Sequence, residues 1–140
     1  VPMLVRGVNR HDFDMDNGWA VPKEMYTKDL DLMKMGNVNA IRTSHYPDDP
    51  YFYDLCNQYG FYVMDECDLE SHGVRRKGVP GSNPLWTDLA VDKMERMVLR
   101  DRNYPCIFMW SLGNEAGDGD NFMKMKHAAL ALDDILPRML

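Results

Sequence analysis

The chain alternates short apolar runs with longer stretches in which apolar side chains recur every three or four positions. MLVRGVN (3–9), NVNAIR (37–42), FYVMDE (61–66) and CIFMWS (106–111) read as strands. Between the first two, Pro22 to Met35 sets Tyr26, Leu30 and Met33 at i, i+4 and i+7, the spacing of one helix face. Asp49-Pro50 supplies a cap and a first helical position, ahead of Phe52, Leu55, Cys56 and Tyr59 on one face. Gly36 and Gly60 stop these two helices. A long polar, glycine-rich loop follows the third run, then a helix with Val91, Met94 and Val98 inward. A last helix begins near Asp120 and carries Phe122, Met125 and Ala129 on one side.

Strands and helices in strict alternation predict a parallel sheet with right-handed crossovers. The fourth run, being apolar throughout, reads as a strand buried on both faces. Two α/β architectures qualify. A doubly wound open sheet suits 140 residues, whereas a (β/α)8 barrel needs about 200 or more, so this chain would supply about four units of one. No GxGxxG or GxxxxGK[ST] follows the first strand, which removes the usual nucleotide-binding reason for an open sheet.

Composition narrows the partners. A chain that is 45% hydrophobic and 27% charged has the material for a core, which argues against disorder. Its 16 basic and 22 acidic residues give a net charge of −6 with no basic patch, which argues against nucleic acid and anionic membranes. No apolar run approaches the roughly 18 residues of a membrane span. Cys56, Cys67 and Cys106 are odd in number and form no CxxC pair, which fits reduced thiols in a cytoplasmic protein.

Every strand runs into a polar cluster: Asn9, Arg10 and His11; Arg42, Ser44, His45 and Tyr46; Asp65, Glu66, Glu70 and His72; Asn114 and Glu115. In parallel α/β folds the groups just beyond the strands' C-terminal ends face one common site. Glu70 and His72 stand two apart, so in an extended segment they point the same way. With Glu115 they make an oxygen-rich set without thiolates, suited to magnesium or manganese. A surface pair without a metal remains the plainer reading of that spacing. For Arg42 a salt bridge to a carboxylate competes equally with a catalytic role.

Glu115 follows an apolar strand directly. Partial desolvation there would raise its pKa and let it hold a proton, as a general acid requires. Asn114 beside it offers an amide to a sugar hydroxyl. Carboxylates, imidazoles, Asn, Arg and aromatics together form the set that glycoside hydrolysis uses, with Trp110 a candidate sugar face or, equally, a core residue.

RGVNRH (6–11), IRTSHYP (41–47), DECDLESHG (65–73) and RDRNYPCIFMWSLGNE (100–115), with the GxG loop after it, resemble the first half of the catalytic barrel of glycoside hydrolase family 2 β-galactosidases, in order from about residue 3 to residue 133. SLGNE is the most diagnostic of these motifs. The resemblance implies an α/β fold, a partial (β/α)8 TIM barrel in which residues 1–140 form the N-terminal half of the catalytic domain, and retaining hydrolysis of terminal β-D-galactosides. It matches Glu115 to the acid/base, Asn114 to the asparagine at the 2-hydroxyl, and Glu70, His72 and Glu115 to the ligands of Mg2+. His11 and His45 resemble histidines lining the galactose site, and Arg42 the arginine that orients the nucleophile.

Two departures stand out. Cys67-Asp68-Leu69 replaces the Ala-Asn-Ile of many relatives, and the chain ends in ILPRML where relatives continue into a fifth strand. The resemblance places the nucleophile on strand 7, so the isolated chain is expected to be inactive. Open edges on strands 1 and 4 imply a homo-oligomer or a complementing barrel fragment as partner. A related family 2 activity such as β-glucuronidase, or a non-catalytic half barrel that binds sugar and metal, is the alternative.

Overall fold

A computed structural model describes residues 2–133 and 138–140. Within the closing DDILPRML, residues 134–137 lie outside that description. Four strands form one parallel sheet in the order β1 (Gly7–Arg10), β2 (Ala40–Thr43), β3 (Tyr62–Glu66), β4 (Ile107–Ser111). Helices α1 (Lys23–Met35), α2 (Pro50–Tyr59), α3 (Thr87–Asp101) and α4 (Asp120–Leu132) follow the strands in turn, as the periodicity requires.

The helix ends follow their residues. Pro50 opens α2 behind Asp49, whose side chain accepts from the Tyr51 amide at 2.8 Å. Gly60 ends that helix at φ 71°, a left-handed cap that glycine adopts without a Cβ penalty. Gly36 ends α1 differently: its φ is −77°, and the left-handed residue is Asn37 at φ 58°.

One face of the sheet is packed. Ile41, Val63, Ile107 and Trp110 meet Leu30, Phe52, Tyr53, Met94, Val98 and Met125 from the helices. The other face of β4 is only half-buried at Phe108 and Met109, so the strand is not covered on both sides. The apolar run thus marks a strand with one packed face and one half-covered face. Trp110 is 1% exposed, and its Nε1–H donates to Asp133 at 3.0 Å; it is a core residue and presents no face to a sugar.

Strand alternation also divides the polar clusters. Asp65 lies on the helix side, where Tyr53 donates to it at 2.6 Å, and burial raises its pKa well above the ordinary value. Arg10 turns the same way. It pairs with Asp12, Asp29 and Asp48 at 3.0, 3.0 and 2.8 Å, and its guanidinium lies 4.5 Å from the Phe52 ring centre. Neither belongs to the site at the strand ends. The edge of β4 is not bare either: Met139 pairs with it in parallel, its carbonyl accepting from the Trp110 amide at 2.9 Å.

Candidate active site

The polar groups collect at the C-terminal ends of β2, β3 and β4, where register brings them together. Asn9 is paired with Arg42, and Glu66 with Ser111. Tyr62, Met64 and Glu66 alternate with Val63 and Asp65, so Glu66 lies on the sheet face away from the helices. Its side chain is completely buried. Arg42 grips it through Nε and Nη2 at 2.7 and 2.9 Å, His45 Nδ1 lies 2.6 Å away, and the Ser111 hydroxyl donates at 2.6 Å. Burial alone would raise this carboxyl, yet the hydrogen bonds from Arg42, Ser111 and His45 outweigh it and hold the group below the usual carboxylate range.

Arg42 reaches further. Its Nη2 also donates to Asn114 Oδ1 at 2.9 Å, which turns the Asn114 amide nitrogen towards Glu70, 3.1 Å away. His11 stands edge-on to His45 with ring centres 5.4 Å apart. Arg42, His45, Asn114 and Glu70 therefore form one connected set, with His11 at its rim.

A second set lies beside it. Glu70 and Asn114 form an isolated parallel bridge that aligns the loops after β3 and β4. Gly113 allows the close approach: at φ 139° it runs so near Leu69 that a Cβ would fall 2.3 Å from the Leu69 carbonyl oxygen. Glu115 follows at φ 44°, a left-handed conformation in a non-glycine residue. That turn carries its carboxylate to His72, with which it hydrogen-bonds, and to Arg75, whose Nη1 donates at 2.9 Å.

Ligand atoms of Glu70, His72 and Glu115 lie within 4.8 Å of one another. Two carboxylates and an imidazole suit a hard divalent cation. The expected rise in the Glu115 pKa does not occur. The carboxyl is exposed rather than desolvated, and hydrogen bonds from His72 and Arg75 hold it below its usual range.

The similarity to known proteins fits this arrangement. A family model described as glycosyl hydrolases family 2, TIM barrel domain, matches residues 1–138. The chain belongs to glycoside hydrolase family 2. It is 44% identical over 135 residues to the β-galactosidase of Lactococcus lactis subsp. lactis, and 48% identical over 131 residues to that of Priestia megaterium. Those matches cover 96% and 88% of the chain but only 14% and 13% of the two enzymes. Among solved structures it resembles the β-glucuronidase of Faecalibacterium prausnitzii, with TM-score 0.80, 29% identity, and coverage of 98% of this chain and 24% of that one. A Ruminococcus gnavus β-glucuronidase gives TM-score 0.82 at 25% identity, with 95% and 24% covered.

Of the residues singled out in the sequence, this family 2 segment brings Arg42, His45, Glu70, His72, Asn114 and Glu115 to the strand ends, with His11 against His45. Three site residues were given no role there. Glu66 was visible as the second acid of the Asp65-Glu66 pair, and strand alternation is the signal that separates it from its neighbour. Ser111 opens SLGNE. Arg75 sits in a 3-10 turn, Arg75–Lys77, with no sequence signal to distinguish it from Arg76 or Lys77.

Proposed function

We propose that this chain is the acid/base-bearing half of the catalytic barrel of a retaining β-galactosidase, spanning residues 1–140. The observation that carries the reading is the Asn114–Glu115 pair held against Glu70 and His72 at the mouth of the sheet, in a chain 44 to 48% identical to β-galactosidases. The β-glucuronidase alternative rests on structures at 25 to 29% identity, a weaker likeness over the same residues.

In this reading Glu115 protonates the departing glycosidic oxygen and then, as carboxylate, activates water against the glycosyl-enzyme. Retention also needs a second carboxylate about 5 Å away as nucleophile. We assign that group to the other four β/α units, whose strands would complete the eight of the barrel. Asn114 would donate to the 2-hydroxyl, His11 and His45 would line the galactose, and Arg42 would orient the nucleophile.

Glu70, His72 and Glu115 would hold Mg2+, and their oxygen-rich donor set fits it. Bound there, the ion would supply a fixed positive charge beside Glu115. In the chain as described, Arg75 occupies that electrostatic role, so magnesium binding would displace its guanidinium from Glu115 Oε2. Calorimetric titration of the chain with magnesium and galactose tests the reading. Binding of both, with the magnesium signal lost in Glu70→Ala, is the expected result; absence of both in a folded chain would overturn it.

A further inference from the structure

We propose that Glu66 is a positioning residue that fixes His45 in its Nδ1–H form and so presents Nε2 as a hydrogen-bond acceptor for a sugar hydroxyl. The inference rests on the galactoside reading for its ligand and on geometry for the rest. Glu66 is a fully buried side chain at the centre of the cluster, bonded from β2 by Arg42, from the loop after β2 by His45, and from β4 by Ser111. A carboxylate is acceptor-only, so the ring nitrogen 2.6 Å from its Oε1 must donate. The Arg42 Nη2 contact to the same nitrogen is 3.4 Å, longer than the 2.9 Å bond that Nη2 makes to Glu66, and does not compete.

A neutral imidazole has one donor and one acceptor nitrogen. With Nδ1–H committed to Glu66, the lone pair rests on Nε2, which meets no hydrogen-bond partner among the described residues. The His45 side chain is about a quarter exposed, at the rim shared with His11, so that nitrogen can meet a ligand. Glu66 thereby sets the polarity of the contact: the sugar hydroxyl donates and His45 accepts. Through Arg42 the same carboxylate fixes Asn114, whose Oδ1 is occupied and whose amide N–H groups remain for Glu70 and a ligand oxygen.

The test is nitrogen-15 NMR of the imidazole rings in the full chain at about pH 8, above the ordinary histidine range. The wild type should show His45 biased at least about tenfold towards Nδ1–H, the scale of a charge-assisted hydrogen bond. Glu66→Gln should remove that bias. Met94→Ala, a core truncation on α3, should lower stability and leave the His45 signals alone, which separates positioning from mere structural support. A wild type dominated by Nε2–H overturns the proposal even if Glu66→Gln fails to fold, and so does a folded Glu66→Gln with unchanged signals. Galactose titration of the same samples reads the ligand separately. Binding weakened about fivefold or more in Glu66→Gln supports the acceptor role; a wild type with the Nδ1–H form and no galactose binding overturns it.

Discussion

Arg42 and Glu66 face each other through two hydrogen bonds of 2.7 and 2.9 Å, a fork that ties β2 to β3 with the carboxylate wholly out of water. Removing one partner of such a pair leaves a buried charge uncompensated. Arg42→Ala should destabilise the chain by about 3 kcal/mol, read from the urea midpoint. Arg42→Lys should recover only part of this, because an ammonium cannot reproduce the fork.

Asp48 gives stability a pH dependence. Burial pushes its carboxyl up to about 7, against the pull of Arg10 2.8 Å away. Between the ordinary carboxylate range and about 7 the folded chain retains a proton that the unfolded chain releases. Stability should therefore fall as pH rises through that window, by on the order of 3 to 4 kcal/mol from this residue. Asp48→Asn should flatten this part of the curve in denaturation series taken from pH 4 to pH 8.

In the proposed reading, Arg75 and a divalent cation would compete for the Glu115 carboxylate. Arg75→Ala should return the Glu115 carboxyl towards its usual range, visible as an upward shift in its carbon-13 titration. The same variant should bind magnesium about fivefold more tightly, because a charge-assisted hydrogen bond no longer has to be broken. Unchanged magnesium affinity would show that Arg75 does not occupy the cation's place.

Gly113 governs the approach of two loops. Alanine there would drive a Cβ to 2.3 Å from the Leu69 carbonyl oxygen, at a φ of 139° that side chains rarely adopt. Gly113→Ala should cost about 3 kcal/mol in thermal denaturation and weaken magnesium binding, since it separates Asn114 and Glu115 from Glu70 and His72.

The elements were legible because their signals are local. Apolar runs marked four strands, and Pro50 and Gly60 marked both ends of α2. The clustering of Glu70, His72 and Glu115 was legible too, since parallel topology dictates that strand ends converge. What failed depends on which way a side chain turns. Arg10 and Asp65 belong to the helix layer, and Trp110 is paired with Asp65 there; counting alternate positions back from Glu66 would have indicated this. The Glu115 pKa failed for another reason. The desolvation argument took the end of an apolar strand for an enclosed place, whereas the backbone turn at Glu115 delivers the carboxylate to water, His72 and Arg75.

The pairing of Met139 with Met109 makes the two margins of the sheet unequal. β4 already has a neighbour, while among the described residues β1 pairs with β2 alone. Eight parallel strands made by two copies about a rotation axis would need each β1 to lie against the other copy's β4. At β4, however, the first parallel partner, Met139, comes from the chain itself. The sheet therefore extends unequally: at β4 the chain supplies the start of a further parallel neighbour, whereas at β1 the described residues supply none.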